Sequence, residues 1–125
     1  MPSSVSKVII RISLQGKGEA DAEVFRHLSP VTLGELLRNL PLQSRVSRYL
    51  DQFIYVTSNV VAGVEKARSS FKRGDVAFLA ANGGVCFFLK DSIVARPMNP
   101  LGRMLSGIDL LERAEAGDVI RLESI

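Results

Sequence analysis

The segment from Gly74 to Leu89 constrains the fold of this chain more than any other part of it. Two apolar runs flank Asn82-Gly83, the dipeptide best suited to a two-residue type I′ turn, in which both central residues need positive φ. Side chains alternate across a strand, so Phe87 and Phe88 must point to opposite faces. We therefore predict a tight hairpin that is buried on both faces.

The composition indicates an ordinary globular protein. The chain has 125 residues, of which 46% are apolar, enough for one domain over residues 1–125 with a sizeable core. The single cysteine, Cys86, excludes an intrachain disulfide framework. No apolar run approaches the roughly 20 residues needed to span a bilayer, and the N-terminus has no signal-peptide pattern. We expect a cytoplasmic protein that does not bind membranes.

The formal net charge of +3 comes from basic residues spread along the chain. They form two loose groups, Arg38, Arg45 and Arg48, and Arg68, Lys72 and Arg73. Such groups can bind phosphates, but no aromatic residues interleave with them as in a single-strand nucleic-acid platform. Binding of an anionic ligand or of nucleic acid is therefore the least supported hypothesis. No heptad repeat specifies an oligomeric state.

The first half of the chain predicts a strand pair followed by a helix. Apolar residues alternate in residues 6–15 and again in residues 19–25, which indicates two antiparallel strands. Thr32 and Glu35 have the spacing of a capping box at the start of a helix that ends at Pro41. Residues 42–51 predict either a helical turn or an irregular segment.

The second half is mostly strands. Besides the hairpin, strands are predicted at residues 53–57, 60–67, 101–105 and 119–123. A short helix follows Ser106, the expected N-cap. Seven or eight strands with two short helices favour a mainly β protein, a closed or nearly closed barrel capped by helices, over alternating βα units.

This order and several motifs resemble the cyclophilin fold. Cyclophilins have a strand ending in Met-Ala-Asn, then Gln-Phe-Phe-Ile, then a Phe-Gly-Lys-Val strand. The matching segments here are Ala80–Asn82, Cys86–Leu89 and Leu101–Met104. The match covers residues 74–125, whereas the first half agrees mainly in the order of its elements.

A closer resemblance is to a prokaryotic cyclophilin-like family of small proteins with no assigned activity. Its members share Gly-Asp before an aromatic-bearing strand, Cys-x-Phe-Phe in the hairpin and Asn-x-x-Gly before the last helix. The chain has Gly74-Asp75, Cys86-Phe87-Phe88 without the spacer, and Asn99-Pro-Leu-Gly102. The resemblance implies a cyclophilin-like closed β-barrel.

The resemblance also raises prolyl isomerisation, which needs no nucleophile. An apolar pocket holds the proline ring, and a fixed donor toward its nitrogen favours the twisted amide. In cyclophilins an arginine on the third strand is that donor. The corresponding segment here is Phe53–Val56, with Tyr55 in place of the arginine. Arg96, in a proline-rich loop, is the second candidate, so Tyr55 and Arg96 are the only catalytic candidates.

A groove near the Asn82-Gly83 turn follows from the same resemblance. Phe88 matches a phenylalanine of the proline pocket, Ala81 and Asn82 match contacts to the peptide backbone, and Met98 falls where cyclophilins have a histidine. The predicted ligand-binding residues are Phe53, Tyr55, Ala81, Asn82, Phe88, Arg96 and Met98. We expect no cofactor and no metal, because the single His27 has neither a cysteine nor a spaced carboxylate beside it.

Three functions follow from these residues. We favour a non-catalytic module that binds a peptide or a small-molecule ligand in the groove. The second is a weak peptidyl-prolyl cis-trans isomerase, because Tyr carries no positive charge and is a weaker donor than the missing arginine. The third, anion or nucleic-acid binding through the basic surface, rests on charge alone.

Overall fold

Ten strands and two short helices make up residues 6–125, the part of the chain that this computed structural model describes. The strands are β1 (Lys7–Leu14), β2 (Gly18–Phe25), β3 (Leu42–Arg45), β4 (Ser47–Tyr49), β5 (Phe53–Thr57), β6 (Arg68–Phe71), β7 (Asp75–Leu79), β8 (Gly84–Phe88), β9 (Ser92–Ser106) and β10 (Val119–Ser124). The helices are α1 (Pro30–Arg38) and α2 (Ile108–Glu112). The prediction of a mainly β protein with two short helices is confirmed. Neither helix in residues 6–125 has the length and apolar character required to cross a membrane.

The strands form one antiparallel sheet. Its order is β3-β10-β1-β2-β9-β7-β8-β5-β4, and β6 pairs with β9 outside this path. The two end strands, β3 and β4, are separated in the chain only by Val46, but in residues 6–125 no ladder joins them. The predicted closure of the barrel is therefore not confirmed by strand pairing.

The alternating strands at the N-terminus form the predicted pair. β1 and β2 are antiparallel partners, from Lys7 opposite Phe25 to Leu14 opposite Gly18. β2 then pairs with β9, where Gly102 lies opposite Val24. A Cβ atom at Gly102 would lie 1.9 Å from the carbonyl oxygen of Glu23, so this close approach of two backbones requires glycine.

The prediction for residues 42–51 is wrong, since most of them lie in β3 and β4. Residues 42–45 alternate between half-buried and exposed positions and pair with β10, with Leu42 opposite Leu122. β4 pairs with β5, with Tyr49 opposite Phe53. These short polar segments carry little intrinsic strand signal, and the neighbouring strands impose the extended conformation on them.

The central hairpin forms as predicted, but its turn differs. β7 and β8 pair from Val76 opposite Phe87 to Leu79 opposite Gly84, which leaves a loop of four residues instead of two. Only Gly83 in that loop has positive φ, at 71°, so the prediction of a type I′ turn at Asn82-Gly83 is wrong. The amides of Asn82 and Gly83 both donate to the Leu79 carbonyl, at 3.3 and 3.0 Å.

A tertiary contact explains the altered turn. The Gly83 carbonyl accepts hydrogen bonds from the Ser58 amide at 2.9 Å and the Ser58 hydroxyl at 2.7 Å. A Cβ atom at Gly83 would lie 2.6 Å from the Ser58 carbonyl oxygen. The loop therefore adopts the shape that fits the segment after β5.

Helix α1 is capped from a distance and not by its own sequence. It begins at Pro30 with Ser29 as N-cap, so Thr32 lies inside the first turn and the predicted capping box is wrong. The amides of Val31 and Thr32 donate to the Glu65 carboxylate at 3.0 and 2.6 Å, and the Thr32 hydroxyl donates to it at 2.6 Å. Glu35 instead pairs with Arg38.

The strand predicted at residues 60–67 is also wrong, because this segment has no regular secondary structure. The buried side chain of Asn99 holds it in place. Its oxygen accepts from the Glu65 amide at 2.8 Å, and its amide group donates to the Gly63 carbonyl at 2.8 Å and to the Thr32 hydroxyl at 3.0 Å. Side-chain hydrogen bonds thus replace a backbone ladder here.

Helix α2 also starts differently. Its N-cap is Gly107, in the left-handed region, and not the predicted Ser106. Ser106 is the last residue of β9 and lies opposite Asp21 of β2, so pairing with β2 keeps it extended. The strand predicted at 101–105 is the second half of β9, and the strands predicted at 53–57 and 119–123 correspond to β5 and β10.

Glu65→Gln should destabilise the protein by about 1 kcal/mol at neutral pH, because it removes the charge that caps α1. Burial raises the pKa of the Glu65 carboxyl, but hydrogen bonds from the Thr32 hydroxyl and the Val31 and Thr32 amides lower it further, and the net pKa lies below the usual range. This contribution is therefore present above the pKa of the unfolded chain and is lost as pH falls below about 4.

Urea denaturation of both proteins at neutral pH and at acid pH measures this difference in unfolding free energy. Glu35→Gln is the matched control, since Glu35 makes only an exposed pair with Arg38, and it should change stability by less than about 0.5 kcal/mol. An effect of Glu35→Gln as large as that of Glu65→Gln would contradict capping by Glu65.

Candidate functional site

The central strands divide their side chains between two apolar clusters. Alternation sends Ile54, Phe78 and Phe87 into the main core beneath the helices. The residues between them face the other side of the sheet. There they form a second cluster with Phe71 of β6 and with Val94 and Met98 of β9; its members from the central strands are Phe53, Ala77, Cys86 and Phe88. The prediction that Phe87 and Phe88 face opposite sides is confirmed.

A cleft of about 500 Å³ opens over this second cluster. Its walls come from the turn between β4 and β5, from β5 itself, from the β7–β8 hairpin and from the first half of β9. The lining residues are Tyr49, Leu50, Gln52, Phe53, Tyr55, Leu79, Asn82, Cys86, Ile93, Val94, Ala95, Arg96 and Met98. Most of them are apolar, and Arg96 is the only one of them with a charged side chain.

A row of aromatic rings runs under and along the cleft. Tyr49 stacks on Phe53 with ring centroids 5.2 Å apart, and Phe53 meets Phe88 at 5.2 Å. Phe88 in turn stacks on Phe71 at 4.7 Å. Tyr55 flanks the row, 5.9 Å from Phe53. Such ring contacts add to the energy of simple burial, so the row forms a preorganised apolar floor.

Polar side chains on the cleft, among them those of Tyr55 and Arg96, are free to meet a ligand. In residues 6–125, neither the Tyr55 hydroxyl nor the Arg96 guanidinium has a hydrogen-bond partner. Asn82 is already engaged in part, because its side-chain oxygen accepts from the Gly84 amide at 2.8 Å. The cleft therefore combines an apolar floor with several neutral polar side chains and one positive charge.

A wide bulge in β9 carries Arg96 to the rim. Met98 lies opposite Arg68 of β6, and Ile93 lies opposite Ser70. Residues 94–97 therefore face a single β6 residue, and the strand must bow outward. Pro97 has no amide hydrogen to give to a ladder, which suits it to this position. Bulges of this kind commonly redirect side chains next to functional sites.

The structure brings five of the seven predicted ligand-binding residues together. Phe53, Tyr55, Asn82, Arg96 and Met98 all line the cleft. The other two do not: Ala81 is exposed in the hairpin loop, and Phe88 is fully buried within the floor. Whether any of the seven binds a ligand stays a prediction.

Sequence reasoning missed the wall formed by Tyr49 and Leu50. The error follows from the wrong prediction for residues 42–51, which did not include the hairpin between β4 and β5. Two aromatic residues, Tyr49 and Phe53, on either side of a three-residue turn were the available signal. Phe71 was missed because it reaches the floor only through the pairing of β6 with β9.

The two basic groups are largely engaged by the protein itself. In the first group, Arg38 pairs with Glu35, Arg45 donates to the Gly117 carbonyl, and Arg48 donates to the Ala114 carbonyl. In the second, Arg68 pairs with Asp75, Lys72 with Asp91, and Arg73 with Asp109 and Glu112. Five of these six residues thus lie within 4.0 Å of an acidic group, Arg48 through Asp51, whereas in residues 6–125 Arg45 donates only to a carbonyl.

Cys86 lies in the cleft wall, yet its chemistry is that of a core residue. Its side chain is 1% exposed, and burial raises the pKa of the Cys86 thiol to about 12. The reactive form of cysteine is the thiolate. The thiol therefore stays protonated and packs as a small apolar group.

Comparison with known proteins covers nearly the whole chain. Residues 8–123 match the family model described as cyclophilin-like. The solution structure of a hypothetical protein from Archaeoglobus fulgidus is similar, with a TM-score of 0.84 and 22% identity over 100% of both chains. The structure of McbB in complex with tryptophan has a TM-score of 0.75 and 19% identity, over 91% of this chain and 44% of McbB. At these identities each structure shares the fold alone. No curated protein is a significant match.

Cys86 should react with iodoacetamide at least about 100-fold more slowly than a free cysteine at about pH 8, because so little of it is thiolate. Mass spectrometry of the folded protein measures the rate, and the same protein in urea is the control, in which alkylation should proceed at the ordinary rate. Rapid alkylation of the folded protein would mean that the thiol is open to the cleft and ionised.

Proposed function

This chain belongs to the cyclophilin-like family, and within that family we propose that it is a non-catalytic module that binds a peptide segment or a small molecule. The ligand lies in the cleft over the second apolar cluster. One observation carries the proposal: a cleft of about 500 Å³ stays open above a packed aromatic floor. This volume is within the usual range for small-ligand sites.

The rim of the cleft is unusually apolar for a surface. Tyr49 is 51% exposed, Leu50 72% and Ile93 79%. Large apolar side chains grouped around a concave site are typical of ligand or partner surfaces. Each would lose contact with water when a ligand fills the cleft, and that burial would favour binding.

Leu50 supports the proposal in a second way. Its φ is +52°, in the left-handed region that costs leucine about 1 kcal/mol or more. Its side chain also projects into water, so the free protein gains little from having leucine here. Contact with a ligand would offset both costs. Strained residues of this kind are often found at ligand clamps.

We propose no catalysis because this chain lacks an arginine at the position from which cyclophilins donate to the proline nitrogen. The resemblance to cyclophilins puts Tyr55 in place of their arginine, and a phenol donates one hydrogen bond without positive charge. McbB, of which 44% shares this fold, has been solved in complex with tryptophan. A shared fold does not itself imply shared function, so the cleft residues carry the argument.

Leu50→Asn should weaken binding of N-acetyltryptophanamide, a neutral aromatic probe, by about fivefold, because apolar contact at the rim is lost. The same change should raise the unfolding free energy by about 0.5 kcal/mol, since asparagine tolerates the left-handed region better. Methyl NMR titration measures the affinity, and urea denaturation measures the stability.

The wild-type titration should shift the methyl signals of cleft residues such as Leu79, Val94 and Met98. Val61→Asn is the matched control, because Val61 is 88% exposed and lies outside the cleft lining, and it should leave the affinity unchanged. Absence of any shift in the cleft methyls at millimolar probe would reject the proposed site.

A weak prolyl isomerase is the alternative function. It is favoured by one observation, that the Tyr55 hydroxyl and the Arg96 guanidinium line the same cleft and both lack partners in residues 6–125. A protease-coupled assay on a proline tetrapeptide separates the two functions. We expect the spontaneous rate. A faster rate that Tyr55→Phe or Arg96→Gln abolishes would establish catalysis instead.

A further inference from the structure

We propose that the cleft selects a singly charged carboxylate with an aromatic or aliphatic body. The body lies on the aromatic floor, and the carboxylate is held by Arg96, with the Tyr55 hydroxyl as a second donor. This inference rests on the proposed function and goes further, because it names the chemical class of the ligand. Three features of the cleft support it.

The first feature is the isolation of Arg96. No lining residue carries a carboxylate, and in residues 6–125 Arg96 has no ion-pair or hydrogen-bond partner. The protein pairs most of its other arginines with acidic groups. Those paired arginines are Arg11, Arg38, Arg48, Arg68, Arg73, Arg103 and Arg121. Arg96 therefore gives the cleft a positive charge that nothing in this part of the chain neutralises.

The second feature is the position of Arg96 on the backbone. The bulge at residues 94–97 interrupts the pairing of β9 with β6, and its side chains divide between floor and rim. Val94 packs into the floor, whereas Arg96 is exposed at the rim. A guanidinium presents several N–H donors in one plane, which matches the two oxygens of a carboxylate.

The third feature is the number of charges. A phosphate group carries up to two charges and three acceptor oxygens, and sites for it usually combine several donors. Arg96 is the only cation in the lining, and the remaining polar groups are side chains of Tyr49, Gln52, Tyr55 and Asn82. One cation beside an apolar floor fits a single negative charge on an apolar body.

The test compares two probes of nearly the same shape, 3-phenylpropionate and 3-phenylpropionamide. NMR titration of the wild-type chain should give an affinity for the carboxylate about fivefold higher than for the amide, the size expected of one solvent-exposed ion pair. Added salt should reduce this preference. Arg96→Gln should abolish the preference by lowering the affinity for the carboxylate.

Arg113→Gln is the matched control, because Arg113 is exposed and lies outside the cleft lining, and it should keep the preference. Equal affinity for both probes, or a preference that survives Arg96→Gln, would overturn the inference and leave the proposed binding module intact. If neither probe shifts the cleft methyls, the proposed function fails together with the inference.

Discussion

The backbone of the β7–β8 hairpin lies between two layers of side chains, and the rest of the architecture depends on that double burial. Phe78 and Phe87 enter the main core, whereas Ala77 and Phe88 enter the second cluster. A shift of one residue in either strand would exchange the two sets. The register is therefore set by both layers at once, and both faces of the hairpin need a cover.

Different elements pack on the two faces of the hairpin, and this difference creates the cleft. The main core is closed by β1, β2, β10 and the helices, whose buried residues include Ile12, Leu33 and Leu111. On the other face, β9 pairs with β6 at residues 92–98 and with β7 at residues 99–103. This change of partner covers Phe71 and Phe88 but leaves the strip between β5 and β9 uncovered. The cleft is thus a consequence of topology, and its chemistry comes from the few side chains along that strip.

Polar side chains form the hydrogen bonds that hold segments outside the strand ladders. Asn99 joins residues 63–65 to helix α1, and Glu65 supplies the charge at the start of that helix. Ser58, which directly follows β5, is bonded to the hairpin loop at Gly83. Each of these contacts links positions at least 25 residues apart. An irregular segment is therefore held by a small number of hydrogen bonds, and their geometry also decides the shape of the hairpin loop.

Local sequence was sufficient for the features whose cause is local. Alternation in β1 and β2, the apolar runs around Asn82-Gly83, and the motifs from Gly74 to Gly102 were enough to predict a mainly β, cyclophilin-like chain with a double-sided hairpin. Tertiary structure decided the rest, because the partners come from distant segments. Glu65 caps α1 in place of Glu35, and pairing with β10 and β5 makes most of residues 42–49 adopt a strand conformation. The bulge in β9 places Arg96 at the cleft. A pattern records the tendencies of neighbouring residues, whereas these features depend on which distant backbone groups are available to pair.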